Sequence, residues 1–165
     1  NYKDLLKYNC TTTQTFFGKT KCFRECLFDE NQPRFTDWAL ALDLSQKYKL
    51  FFQAEVLADV FQQKDSITKN PEKGIKGMEM LYNKHQAAIN SNPQIKASFF
   101  LKKATIIFNT GKIPLAELET VYECTPSFRN LCRLTLAKLH LYGILKSIIK
   151  PVKKAYFTSQ KNRGG

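Results

Sequence analysis

The most reactive side chains in this sequence belong to five cysteines and two histidines. Cys22 and Cys26 are four positions apart, so they share one face if the segment is helical, and Cys10 could add a third thiolate ligand for zinc. A fourth ligand would have to come from His85, His140 or elsewhere, and the sequence contains no CxxC pair. We therefore interpret the cysteines as free or buried thiols and predict neither a metal site nor a cofactor.

Catalytic chemistry has little support in the sequence. The two histidines fall in separate apolar segments, and neither has a recognisable nucleophile arranged with it. Gly74 and Gly77 lack the Lys-Ser/Thr context of a phosphate-binding loop. Glu117, Glu119 and Glu123 form a run of carboxylates that is typical of the exposed face of a helix. We therefore predict that the protein is not an enzyme.

Positive charge is concentrated in the C-terminal quarter. The net charge is +12, and residues 125–165 contain nine Lys or Arg and no Asp or Glu. This asymmetry predicts an acidic partner for the quarter, which would be nucleic acid, an acidic protein face or a membrane surface. If the partner is RNA or DNA, the residues expected to neutralise phosphates or stack on bases are Lys146, Lys150, Lys153, Lys154, Tyr156 and Arg163.

The length of 165 residues is typical of one domain, and a hydrophobic content of 43% is enough for a real core. No run of eighteen apolar residues is present, so we predict no membrane span. The odd number of cysteines indicates reduced thiols and an intracellular protein, cytoplasmic or nuclear. The sequon Asn9-Cys10-Thr11 and a first residue other than Met leave open a secreted helical factor with disulfides. We expect the chain to be a piece of a larger protein.

The spacing of apolar residues and helix breakers predicts an all-α fold. It would be an irregular helical bundle or an α-solenoid of antiparallel helix pairs. Residues 1–35 are difficult to assign, and residues 36–124 are expected to form a helical domain. Residues 125–157 are expected to form a basic helical hairpin packed on that domain, followed by a flexible tail at 158–165.

Individual helix starts can be placed from local signals. We predict that Thr36 or Asp37 caps the first strong helix. Residues 37–63 would then form one long helix or, as we prefer, a tight helix pair. Prolines at positions 71, 93 and 114 each indicate the start of a further helix.

The segment from Thr125 to Tyr142 has the densest apolar pattern in the chain. Thr125 followed by Pro126 indicates a helix N-terminus. The apolar residues then fall on two stripes, so we expect either burial on more than one side or one stripe kept for a partner. The first stripe is Phe128, Leu131, Cys132, Thr135, Leu139 and Tyr142, and the second is Leu134, Ala137, Leu141 and Leu145.

Within this segment, PSFRNLCRLTL from Pro126 to Leu136 resembles the Elongin C-binding box that opens a SOCS box. That box has a small residue or Pro, then Leu, three free positions, Cys, three free positions and an apolar residue. Cys132 and Leu136 match, and Phe128 stands where Leu is usual. The family's downstream cullin-selecting segment carries a Leu-Pro motif, and this chain has Ile148-Ile149-Lys150-Pro151 there.

The resemblance implies that Phe128 and Cys132 insert into a pocket on Elongin C, with Leu131 and Leu136 beside them. It thus implies an adaptor or scaffold domain that recruits Elongin C to a ubiquitin ligase. Two alternatives stay open. Phe128 and Cys132 could be ordinary core residues, since cysteine buries as a small hydrophobe. The chain could instead be a basic helical module that binds RNA or DNA through its C-terminal quarter.

Overall fold

The computed structural model describes residues 1–53, 55 and 70–141. These residues form helices and connecting segments without a strand, so the predicted all-α class is confirmed. In chain order the elements are α1 (Tyr2–Lys7), one 3₁₀ turn (Thr13–Thr15), α2 (Thr20–Glu25), α3 (Thr36–Lys47), α4 (Pro71–Asn90), α5 (Pro93–Phe108), α6 (Leu115–Cys124) and α7 (Phe128–Lys138).

Three helices begin at the prolines that the sequence indicates. The Asn70 side chain accepts a hydrogen bond from the Lys73 backbone N–H at 3.0 Å, and Pro71 opens α4. Asn92 caps α5 in the same way, ahead of Pro93. Both prolines fit because the first turn of a helix needs no backbone N–H from them. Helix α6 begins at Leu115, directly after Pro114.

The start of α3 differs from the prediction, because Phe35 is the cap residue and Thr36 is already helical. Phe35 has a left-handed backbone with φ of +66°, which is unusual for an aromatic residue. Its ring packs edge-on against Trp38, with the ring centroids 5.9 Å apart, and the guanidinium of Arg34 lies 4.8 Å from its centroid. Lys102 of α5 also approaches the ring, with its nitrogen 5.7 Å from the centroid, and a single-sequence pattern does not reveal this contact between distant segments.

The single long helix over residues 37–63 is excluded, because α3 ends at Lys47 and the backbone is extended at Tyr48. Phe51 and Phe52 lie in the non-helical segment that follows and are largely exposed. The second helix of the preferred pair was placed mostly on residues outside the described ranges.

The main core lies between α1, α3, α4 and α5. Trp38 is fully buried there, and its indole N–H donates to the Leu5 backbone carbonyl at 2.7 Å. The ring also contacts the buried Phe99 of α5, at 5.9 Å between centroids. The buried residues of this main core are Leu5, Leu6, Trp38, Ala39, Ala41, Leu42, Met78, Leu81, Ile89, Ile95, Phe99 and Ile106.

A smaller cluster joins α5, α6 and α7 at the other end of the described chain. Its buried members are Ala104, Leu118, Leu134 and Ala137. Along this part each helix packs on the next one, α4 on α5, α5 on α6 and α6 on α7, through short connections. Both predicted arrangements, the bundle and the solenoid, contain such sequential pairs. Among the described helices, none is long and apolar enough to cross a membrane.

Candidate functional site

Helix α7 is where the sequence places its candidate partner-binding residues. It begins at Phe128 rather than near Thr125, because the Ser127 hydroxyl oxygen accepts from the Asn130 backbone N–H at 3.2 Å. Thr125 instead closes α6, where its hydroxyl donates to the Val121 carbonyl at 3.0 Å. The helix ends at Lys138, and His140 follows with a left-handed φ of +58°.

One face of α7 attaches the helix to the domain. Leu134 and Ala137 are its buried residues, and they pack with Leu118 of α6 and Ala104 of α5. Lys138 adds an ion pair with Glu119 of α6, with the nitrogen and oxygen 3.3 Å apart. Within the described chain α7 is therefore buried on one side, which is the arrangement expected if the other apolar stripe is kept for a partner.

The opposite face is apolar and exposed, and we call it the α7 stripe: Phe128, Leu131, Cys132 and Leu139. Phe128 is 82% exposed, Leu139 59% and Leu131 43%, while Cys132 is half-buried. At about 100° per residue, Phe128, Cys132 and Leu139 lie within about 40° of one another around the helix axis. Leu136 is half-buried at the edge of the stripe. Phe128 is thus not a core residue of the described domain.

Beside the stripe, on the α5 side of the helix, lies an open surface depression that we call the α5–α7 groove. Arg129 and Arg133 stand on its α7 wall, and the buried Ala97 and Val121 contribute to its lining. Its lining among the residues that the structure describes is Gln94, Ala97, Ser98, Leu101, Val121, Thr125, Ser127, Arg129, Asn130 and Arg133.

Asn130 organises the α7 wall of this groove. Its amide nitrogen donates to the Thr125 carbonyl at 2.9 Å and to the Thr125 hydroxyl oxygen at 3.0 Å. Its amide oxygen accepts from Nη1 of Arg133 at 2.7 Å. The side chain of Arg133 is therefore fixed to the loop between α6 and α7. The sequence pattern did not predict this group, although Arg129 and Arg133 are spaced by four residues and therefore lie on neighbouring turns of one helix.

In the described residues, the thiols and histidines are not gathered into a metal site. All five cysteines are free, and the described chain has no group of three His, Cys, Asp or Glu side chains that could hold a metal ion. His85 is buried in α4, and its Nδ1 lies 2.9 Å from the Tyr2 hydroxyl oxygen. Burial lowers the pKa of His85, against a smaller opposing effect of Asp43. The contacts of His85 belong to the core rather than to a cleft.

The carboxylates of α6 have structural partners. Glu117 pairs with Lys103 of α5 at 3.3 Å, and the same lysine reaches Glu79 of α4 at 3.6 Å. Glu119 is the partner of Lys138 described above. These ion pairs connect neighbouring helices, so two of the three carboxylates take part in helix packing. The residues predicted to contact nucleic acid, from Lys146 to Arg163, lie outside the described ranges.

Comparisons of the chain with protein-family models, curated proteins and solved structures returned no significant match. The function must therefore be argued from the α7 stripe and the groove beside it.

Proposed function

We propose that this chain is a non-enzymatic protein-interaction domain that binds a partner through the α7 stripe, with Elongin C as that partner. The observation that carries the proposal is the 82% exposure of Phe128 on a helix whose opposite face already anchors it. A large aromatic side chain on an exposed helix is the type of residue that serves as an interface anchor. Its burial by a partner would contribute about 1.5–3 kcal/mol.

The arrangement of the stripe agrees with the Elongin C-binding box. Phe128 and Cys132 are one helical turn apart, about 6 Å along the axis, and Leu131 and Leu136 flank them. The half-buried Cys132 presents a small side chain beside the large exposed ring. A partner pocket that accepts an aromatic ring and a neighbouring thiol would fit this surface without any change in α7.

The test is a binding measurement between the full chain and purified Elongin B/C by isothermal titration calorimetry. We expect binding of the unaltered protein and its loss in Phe128→Ala combined with Cys132→Ala. Phe17→Ala is the matched control, because Phe17 is an exposed phenylalanine like Phe128 but lies far from α7 in the sequence. That control should bind like the unaltered protein. Absence of binding by the unaltered chain would reject Elongin C as the partner.

A second candidate function is binding of single-stranded nucleic acid, favoured by the acid-free sequence of residues 125–165. The same titration with a single-stranded oligonucleotide in place of Elongin B/C separates the two. Binding to nucleic acid should weaken steeply with salt, because released counterions drive it. Binding through the α7 stripe should change little with salt, since the anchors are uncharged.

A further inference from the structure

Two of the five cysteines lie one helical turn apart and pack against the same neighbours. Cys22 belongs to α2, and Cys26 directly follows the last residue of that helix. The Cys26 backbone N–H donates to the Cys22 carbonyl at 3.0 Å, so the backbone between them still makes a helical turn. Both side chains pack into one small cluster with Leu40 and Leu44 of α3, where Cys26 is buried and Cys22 is half-buried. The two thiols therefore lie on the same side of α2.

The backbone separation of the two cysteines suits a disulfide, and the side-chain separation is slightly too large. Residues four apart on a helix have their Cα atoms about 6 Å apart, inside the range of about 4.4–6.8 Å found for disulfides. Their Cβ atoms are about 5–6 Å apart, whereas a disulfide brings them to about 3.5–4.5 Å. Closing a bond between Cys22 and Cys26 therefore requires the last turn of α2 to shift by about 1.5 Å.

Helix α2 is weakly enough attached to make this movement. It has six residues, and none of these six is buried, whereas α1 has the same length and buries Leu5 and Leu6. A helix of this length has little stability of its own and depends on packing. At the end of α2, the Glu25 carbonyl accepts from Nζ of Lys47 at 3.2 Å and the Glu25 carboxylate accepts from the Tyr48 hydroxyl. Both contacts are exposed, so they resist the shift only weakly.

We propose that Cys22 and Cys26 form a disulfide by exchange with oxidised glutathione, and that this bond loosens the end of α2 from α3. The more exposed Cys22 thiolate attacks one sulfur of glutathione disulfide and releases one glutathione thiolate. The Cys26 thiolate then attacks the Cys22 sulfur of this mixed disulfide and releases the second glutathione thiolate. The two protons lost by the cysteines are taken up by the released thiolates, so two thiols are oxidised while one glutathione disulfide is reduced. This site is separate from the proposed partner surface, since neither cysteine belongs to the α7 stripe.

The loosening of α2 follows from the position of Cys26. Cys26 is the buried residue through which this segment packs on Leu40 and Leu44. Movement of its side chain toward Cys22 disturbs that packing, because close-packed side chains tolerate little displacement. The same shift of the last turn strains the hydrogen bond from the Cys26 N–H to the Cys22 carbonyl. Oxidation therefore acts on the end of α2 and leaves the main core around Trp38 unchanged.

The disulfide is tested by equilibrating the full chain in glutathione buffers of increasing oxidised fraction. Free thiols are then blocked with iodoacetamide, and the chain is digested with trypsin and analysed by mass spectrometry. Trypsin cleaves after Lys21 and Arg24, so Cys22 and Cys26 fall in separate peptides. We expect these two peptides to be linked to each other without glutathione, and to separate on reduction. The proposal is overturned if Cys22 is found only as its glutathione adduct, or if it is linked to another cysteine instead.

Cysteine variants decide whether this pair reacts by itself. Cys22→Ser should leave Cys26 without a disulfide partner on α2, so the linked peptides should disappear. Cys10→Ser is the matched control, because Cys10 is an exposed thiol outside α2, and the yield of linked peptides should stay within about twofold. A loss of the linked peptides in Cys10→Ser would contradict the direct exchange at Cys22.

Hydrogen exchange of backbone amides, followed by NMR, tests the loosening of α2. We expect the Cys26 amide to exchange about tenfold faster in the oxidised chain, because its bond to the Cys22 carbonyl is weakened. The Ser91 amide is the internal reference, since it ends α4 with the same type of bond, at 3.1 Å to the Ala87 carbonyl. Its exchange should be unchanged, and Cys22→Ser treated with the same buffer should show no change at Cys26. Equal exchange of Cys26 in the oxidised and reduced chains would show that the disulfide does not loosen α2.

Discussion

Helices α3 and α7 are nearly equal in length, but α3 buries most of its apolar residues, whereas several of those on α7 are exposed. Helix α3 has twelve residues and buries six of them, from Trp38 to Leu44. Helix α7 has eleven residues and buries only Leu134 and Ala137. The sequence of each helix shows which faces are apolar, but it does not show what covers them. That depends on the neighbours that the rest of the fold brings to each helix.

The neighbours of the two helices explain the difference. Helix α3 is covered by α1 on one side, where Leu5 and Leu6 pack with Trp38, and by the α2 region on another, where Cys26 packs with Leu40 and Leu44. Helix α7 packs on α6, and among the described helices its remaining faces have no comparable cover. Within the described residues, the apolar stripe of α7 therefore contributes little to the packing of the domain.

The most direct test of this difference is to replace one buried and one exposed phenylalanine by alanine. Phe99 is fully buried in the main core, whereas Phe128 is 82% exposed. We expect Phe99→Ala to lower the free energy of unfolding by about 3–5 kcal/mol. Phe128→Ala should lower it by no more than about 0.5 kcal/mol. Urea denaturation followed by circular dichroism measures both.

A particular result for Phe128 would end the proposed role of the stripe. If Phe128→Ala lowered the free energy of unfolding by more than about 1.5 kcal/mol, its ring would behave as a buried side chain. The interpretation of Phe128 and Cys132 as ordinary core residues would then be correct. A partner could not reach the Phe128 ring without unfolding part of the chain. Phe17→Ala provides the exposed reference for this measurement.

A smaller difference is expected between two leucines on α7 itself. Leu134 is buried against Leu118 and Ala104, while Leu131 is 43% exposed. We expect Leu134→Ala to cost about 2–3 kcal/mol, at the lower end for buried leucines because the cluster is small. Leu131→Ala should cost less than about 1 kcal/mol. Leucine and alanine are both good helix formers, so the two unfolding curves compare burial rather than helix propensity. Equal losses would show that α7 is covered on both faces.

Local signals were the part of the fold that the sequence predicted well. Pro71 and Pro93 start helices because a missing N–H and a fixed φ act within one turn, whatever surrounds them. The start of α7 was placed too early, since Thr125-Pro126 and Ser127 both resemble caps. The hydrogen bond from the Asn130 backbone N–H to Ser127 and the bond from the Thr125 hydroxyl to the Val121 carbonyl distinguish them, and the first depends on the path of the connecting loop.

Contacts between distant segments could not be predicted from one sequence. Gly77 was considered only as part of a phosphate loop, but its place in the fold depends on close packing. A Cβ atom there would lie 2.6 Å from the Arg34 carbonyl oxygen, in a segment more than forty residues away. Gln32 strengthens the same contact by donating to the Gly77 carbonyl at 3.0 Å. The sequence predicted which residues of α7 share its apolar stripe. It did not predict that the stripe is exposed, because exposure depends on where distant segments pack.

The smallest expected effect concerns His85, which is buried beneath Tyr2 and Gln46. Burial lowers the pKa of His85 below its ordinary value of 6.5, with Asp43 opposing the shift and Lys84 adding to it. As the pH falls below 6.5, the unfolded chain binds a proton at this position before the folded chain does. The free energy of unfolding should therefore decrease as the pH falls below 6.5, and this contribution should be absent above it. Equilibrium urea denaturation across this range should show a shallower pH dependence for His85→Gln than for the unaltered chain. If His85→Gln keeps the full dependence, then burial of the His85 ring does not oppose its protonation, and this prediction is wrong.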